Sequence, residues 1–200
     1  MTELAPIAPQ PSRIGPGRLV LVVGPSGAGK DTLLGLAKIA CLGESDVAFA
    51  RRVVTREPSP AEDNLQSTPE AFRAMIAANE FALHWQAHSH SYGVLRAIDN
   101  DIRAGRTVVA NVSRTVIGEA RRTYDNVDVV MITAPPDVLA RRIALRARTS
   151  DAMSSDRLGR IVGENLADFT IMNVASPEDH ARELLAIIRN TQVAGRSVAR

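Results

Sequence analysis

The sequence predicts an α/β protein in three layers, a parallel core sheet with helices on both faces. Two observations carry this. Continuous apolar runs at 19–23, 107–112 and 127–132 alternate with helix-like segments, as strands buried on both sides do. The first of these runs leads into Gly-Pro-Ser-Gly-Ala-Gly-Lys-Asp at 24–31 and then a helix-like stretch. That strand–loop–helix context is the one in which a glycine-rich loop cradles phosphate.

Each element follows in order. Residues 1–17, with Pro6, Pro9, Pro11 and Pro16, are expected to form a disordered leader. After the strand at 19–23 and a helix through Thr32–Ala37, Asp46–Ala50 is the second strand. The basic segment 51–56 ends at Pro58 and Pro60. Thr68 caps a helix with Pro69 at its first position. Residues 81–85 and 90–93 alternate like short strands of a small sheet. A helix over 94–104 is stopped by Gly105, and 107–112 is a buried strand. A helix at 115–123, a strand at 127–132 and a helix opened by Pro135 and Pro136 come next. The remainder is a helix at 152–167, a strand at 169–172, a helix from Pro177 to about 189, and a tail at 191–200. In such a sheet the loops at the strand C-termini carry the site.

The loop residues Gly24, Pro25, Ser26, Gly27, Ala28, Gly29, Lys30, Asp31 and Thr32 are therefore the candidate site for a nucleoside triphosphate. The glycines let backbone N–H groups approach phosphate oxygens, the helix adds its positive end, and Lys30 reaches the β- and γ-phosphates as a point charge. The usual signature ends in Ser or Thr, whose hydroxyl binds Mg²⁺. Here Asp31 stands in that place, with Thr32 next. Two readings are open for Asp31: a hard oxygen ligand of Mg²⁺ alongside Thr32, or a carboxylate favoured in the first turn of a helix.

Composition bounds the rest. Two hundred residues, 45% hydrophobic and 23% charged, suit one ordinary globular domain. Lys30 and Lys38 are the only lysines, so nearly every cation is an arginine, a side chain whose fork suits phosphate. Cys41 is alone, which excludes a disulfide framework. No apolar run approaches a membrane span and no signal pattern opens the chain, so a cytoplasmic location is expected. A basic stripe interleaved with aromatics is lacking, which argues against nucleic acid. His84, His88 and His90 lack interleaved Cys or carboxylate ligands, and on alternating strands His84 and His88 are about 13 Å apart. Packing suits them better than metal, and Trp85 is a core residue. Arg141, Arg142 and Arg160 are expected on exposed helix faces. Asn111 and Ser113, at the end of a central strand, either bind ribose hydroxyls or cap a loop.

Over roughly 18–190 the chain resembles the guanylate-kinase-like branch of the nucleoside monophosphate kinases. The resemblance rests on Gly-Pro-Ser-Gly-Ala-Gly-Lys, Val54-Thr55-Arg56-Glu57-Pro58, Ser91-Tyr92-Gly93, Ala134-Pro135-Pro136 and Arg141-Arg142 with Arg146. Within the branch it is most similar to the ribose 1,5-bisphosphate phosphokinases of phosphonate degradation. Gly-Lys-Asp in the loop, Leu83-His84-Trp85-Gln86-Ala87-His88 and Val109-Ala110-Asn111-Val112-Ser113-Arg114 point there. The resemblance implies a core of 18–50 and 105–190, an acceptor-binding insertion at 51–95 and an arginine lid at 146–157. It also implies transfer of the γ-phosphoryl of ATP to ribose 1,5-bisphosphate, giving 5-phosphoribosyl 1-diphosphate.

The same resemblance assigns roles. Arg52 and Arg56 fall where the family grips the acceptor phosphate, Tyr92 matches its acceptor-site tyrosine, and Arg146 and Arg148 match the catalytic lid arginines. Arg157 would add a third charge, and Glu62 would order the acceptor loop or a water on Mg²⁺. The departures from guanylate kinase concern the base. Leu83 stands where those enzymes carry a glutamate, Ser59 replaces a second arginine, Val94 a hydroxyl residue, and Asn111 and Ser113 an aspartate pair. A purine's donors would be left unpaired, which makes GMP a poor acceptor. The rival readings are a nucleoside monophosphate kinase of altered base preference, opposed by Leu83, and a catalytically silent binding module, opposed by Lys30. The partners expected are small phosphorylated molecules. Monomer and homodimer remain open.

Overall fold

The structure is a computed structural model that describes residues 12–57, 63–149 and 166–190. Its strands are Ile14–Val23 (β1), Val47–Phe49 (β2), Arg52–Val54 (β3), Asn64–Gln66 (β4), Phe81–Ala87 (β5), His90–Leu95 (β6), Thr107–Asn111 (β7), Tyr124–Thr133 (β8) and Phe169–Met172 (β9). Its helices are Lys30–Ala40 (α1), Pro69–Ala77 (α2), Ile98–Arg103 (α3), Ile117–Thr123 (α4), Pro136–Thr149 (α5) and Pro177–Ile188 (α6). Five strands form a sheet in the order β2-β7-β1-β8-β9, and every pairing in it is parallel.

Alternation along β1 builds the two halves of the core, because successive side chains of a strand point to opposite faces. Leu19, Leu21 and Val23 pack with Ile98, Ile102, Ile117 and Ala120 of α3 and α4. Val20 and Val22 pack with Leu33 and Ala37 of α1 and with Leu184 and Ile188 of α6. Buried on both sides, β1 has no room for a polar residue in its second half. The predicted parallel sheet with helices on both faces is the sheet observed.

A second sheet, β4-β3-β6-β5, stands beside the first. β6 pairs antiparallel with both β3 and β5, while β3 and β4 run parallel. Its hairpin turns through His88 (φ 50°) and Ser89 (φ 63°), two successive positive φ values that match the strands' twist. Phe72 of α2 stacks on Phe81 with ring centroids 4.5 Å apart, and Val53 completes that small core. Thr68 caps α2 as expected, its Oγ1 accepting from the Ala71 N–H at 3.1 Å.

Several expectations need correction. β1 begins at Ile14, so 14–17 belong to the sheet and not to a leader; Ile14 pairs with Tyr124, and the register shifts between Ile14 and Arg18. Gly15, Pro16 and Gly17 fill that irregularity, and in sequence they resemble breakers. Val94 and Leu95 extend β6, because Val94 pairs with both Arg52 and Leu83; the helix expected from 94 starts at Ile98. β4, Asn-Leu-Gln, has too little pattern to be foreseen. Residues 1–11 of the leader, residues 152–165 of the helix expected at 152–167, and the tail at 191–200 lie outside the described residues. Among the described helices none is long and apolar enough to cross a membrane.

Candidate active site

The phosphate loop leaves the C-terminal end of β1 and enters α1. Two glycines are required by contact as well as by conformation. At Gly24 (φ +149°) a Cβ would strike the Ile132 carbonyl oxygen of β8, and at Gly29 (φ +85°) it would strike Asn173 Nδ2. Gly29 is the N-cap of α1 and offers no side-chain cap. The first amides of this eleven-residue helix are therefore directed into the loop, as an anion site needs. The Lys30 Nζ folds back and donates to the carbonyls of Gly24 at 2.8 Å and Pro25 at 3.0 Å.

Other side chains hold the loop from the β8–β9 side. Asn173, which follows β9, is 4% exposed. Its Nδ2 donates to the Ala28 carbonyl at 2.8 Å and its backbone N–H to the Thr133 carbonyl at 2.7 Å. Its Oδ1 is buried without a hydrogen-bond partner among the described residues. α5 crosses above, with Leu139 and Ile143 beside Gly27. Arg142 is half-buried there rather than on an exposed face, its Nη1 3.5 Å from the Gly27 carbonyl.

On the opposite side, between α1 and the start of β3, lies a cleft of about 150 Å³ lined by Asp31, Leu34, Phe49, Arg52, Asn64 and Asn111 among others. Asp31 Oδ1 accepts from Asn111 Nδ2 at 3.0 Å and is 4.0 Å from Arg52 Nη2. Arg52 Nε donates to Asn64 Oδ1 at 3.2 Å. Four separate elements, α1, β3, β4 and β7, thus meet in one polar cluster. At the mouth, Asp63 accepts from Lys38 of α1 at 2.7 Å and from Arg51 at 2.7 Å. The Lys38 hydrogen bond, with the charges of Lys38 and Arg51, holds the Asp63 carboxyl below its ordinary value.

Of the expected acceptor residues, Arg52 and Asn111 come together in this cleft. Arg56 lies just past β3, its Nη1 donating to the Glu57 carbonyl at 3.0 Å. Tyr92 stacks on Trp85 at 5.6 Å and 9° between ring planes; Trp85 is a core residue, 8% exposed. Ser113 is a cap: its Oγ accepts from the Thr115 N–H at 3.3 Å, starting a 3-10 turn at Arg114–Val116. Thr32 is exposed beside Asp31. Leu83 is fully buried. Glu62, Ser59 and Arg157, and the side chains of Arg146 and Arg148, lie outside the described residues. Asn173, Asn64 and the Lys38–Asp63–Arg51 group were not legible as site residues. For Asn173 there was one signal, its position at the C-terminal end of a core strand.

The hard oxygens of Asp31 and Thr32 suit Mg²⁺. Among the described residues no group of three or more His, Cys, Asp or Glu could form a cage, so an ion here would be held jointly with substrate phosphates.

No family model matches the chain. It is 60% identical over 190 residues to ribose 1,5-bisphosphate phosphokinase PhnN of Rhodopseudomonas palustris, covering 95% of this chain and 97% of that protein. To the protein of that name from Bradyrhizobium diazoefficiens it is 58% identical over 193 residues, covering 95% and 98%. The crystal structure of guanylate kinase from Anaplasma phagocytophilum superposes with a TM-score of 0.64 at 20% identity, over 88% of this chain and 87% of that one, which establishes a shared fold. A likeness that spans almost the whole length of both partners, on a fold whose phosphate loop is intact, has one meaning: the chain belongs to the ribose 1,5-bisphosphate phosphokinase family.

Proposed function

We propose that the protein transfers the γ-phosphoryl group of ATP to the 1-phosphate of ribose 1,5-bisphosphate, giving 5-phosphoribosyl 1-diphosphate and ADP, as a step of phosphonate catabolism. The observation that carries the proposal is the pairing of an intact phosphate loop with a neighbouring cleft of Arg52, Asn64 and Asn111. Arginine and amides suit a phosphate and a sugar. The resemblance sets Leu83 where a guanine site carries its carboxylate, which would leave a purine's N–H donors unpaired.

The reaction breaks the bond between the γ-phosphorus and the oxygen bridging it to the β-phosphate, and forms a bond from an acceptor phosphate oxygen to that phosphorus. The nucleophile is already anionic near neutral pH, so no general base is required. Positioning and charge neutralisation remain for the protein to supply. The α1 amides and Lys30 receive the β- and γ-phosphates, the Lys30 ammonium exchanging the Gly24 and Pro25 carbonyls for phosphate oxygens. Arg52 and Arg56 take the acceptor phosphates and Asn111 a ribose hydroxyl, with Tyr92 on the same small sheet. Arg146, Arg148 and Arg157 close over the transferring group, and Glu62 orders the acceptor loop. Asp31 and Thr32 are the residues that would hold Mg²⁺, which supplies charge neutralisation at the β- and γ-phosphates when bound. The proposed setting is the cytoplasm, with small molecules as the only partners.

An ADP-release assay comparing ribose 1,5-bisphosphate with GMP, AMP and dTMP tests this. Turnover confined to the sugar bisphosphate is expected. A kcat/KM for GMP equal to or above that for the sugar would replace the proposal with a nucleoside monophosphate kinase.

A further inference from the structure

We infer that Asp31, the residue that closes the phosphate loop, is a positioning residue for the acceptor, holding Asn111 and Arg52 in the orientation in which they receive the sugar phosphate. The inference rests on the acceptor reading above and adds a residue of the donor loop to the acceptor's recognition.

Asn111 can present either end of its amide, and only its neighbours decide which. Asp31 decides it, because a carboxylate can only accept and the nitrogen is the one end of the amide that donates. With Nδ2 donated to Asp31 Oδ1 at 3.0 Å, the amide has one sense, and its carbonyl end is the one that can accept from a sugar hydroxyl. Arg52 is restrained similarly at two edges of its guanidinium. Its Nε donates to Asn64 Oδ1 at 3.2 Å and its Nη2 lies 4.0 Å from Asp31 Oδ1. The side chains concerned are largely shielded, Arg52 at 14% and Asp31 at 26% exposure, where ionic and charge-assisted contacts hold geometry better than at the open surface. A serine or threonine in place of Asp31 has neither a second oxygen nor a charge with which to do this. The loop that names the donor is thereby joined to the strand ends that face the acceptor.

The experiment measures acceptor binding without the donor or the metal. Calorimetric titration of ribose 1,5-bisphosphate into wild type, Asp31→Asn, Asp31→Ser, Asn111→Ala and the Asp31→Asn/Asn111→Ala double variant is done in EDTA without ATP. In parallel, KM for ATP, KM for the acceptor and the Mg²⁺ dependence of kcat are measured on the same proteins. Asp31→Asn and Asn111→Ala should each weaken acceptor binding about tenfold, the size of one charge-assisted hydrogen bond. The double variant should be no weaker than the worse single one. Acceptor binding unchanged in EDTA, with a raised Mg²⁺ requirement or ATP KM, would overturn the inference; so would losses that multiply in the double variant. Asp31→Ser keeps the test valid if Asp31→Asn melts early, since it restores the common loop ending. Failure of the functional reading is read separately, as wild type that does not phosphorylate ribose 1,5-bisphosphate. The same titrations then use whichever acceptor the ADP-release panel selects.

Discussion

Lys30 and Asn173 grip the phosphate loop in different ways, and their variants should separate accordingly. Lys30 bonds two carbonyls of its own loop, so Lys30→Ala should melt like wild type yet lose about two to three orders of magnitude in kcat. Full activity in that variant would remove the loop from the mechanism. Asn173 is structural as well as local. Asn173→Asp would turn the donor toward the Ala28 carbonyl into a second acceptor and bury a charge. A loss of about 1–3 kcal/mol in urea unfolding is expected, with weaker ATP binding. A lone asparagine after a strand hints at a site by its position and says nothing of what it holds. Its meaning comes from Ala28, 145 positions away in the chain. Lys30 was legible because the Gly24 and Pro25 carbonyls that it bonds lie in its own loop.

At the scale of elements, β8 is fastened to α3 by one buried pair. The Tyr124 hydroxyl donates to Asp99 Oδ1 at 2.6 Å, and both residues are almost fully buried. Burial, then the bond to Asp99, pushes the Tyr124 phenol far above its ordinary value. A group whose folded pKa is raised lends stability that is complete below the unfolded pKa, about 10 for tyrosine, and that is lost as pH climbs beyond it. Wild type should therefore lose stability from about pH 10 upward, and Tyr124→Phe should show a flatter profile there. At neutral pH the same variant should be about 1–3 kcal/mol less stable, because Asp99 loses its donor. Urea midpoints measured from pH 7 to 11 check both. Elements were legible where apolar residues ran continuously, as in β1 from Leu19, β7 and β8. They were illegible where backbone pairing alone decides, as for β4 or for Ile14 joining across Gly15-Pro16-Gly17. Val94 and Leu95 were expected to open a helix, and the ladder with β3 and β5 makes them strand instead.

Across the whole molecule the large sheet fixes where substrates meet. β1 sits at its centre, with β7 and β2 on one side and β8 and β9 on the other. Ligands of such sheets bind where neighbouring connections diverge. ATP at about 100 times its dissociation constant should stabilise the fold by about 2.7 kcal/mol, a Tm rise of about 5–10 °C for a chain of this size. Scanning calorimetry should record that rise for wild type and little of it for Lys30→Ala. The divergence at β1 also sorts the chain by task. The segment between β2 and α3 forms the small sheet, while the loop's supports, α5 and Asn173, come from the β8–β9 side. In engineering terms the small sheet is a cartridge. Grafting a different segment between Ala50 and Ala97 would leave every pairing of the large sheet intact, with Asp31, which faces Arg52, the first residue of the host to be matched to the new insert.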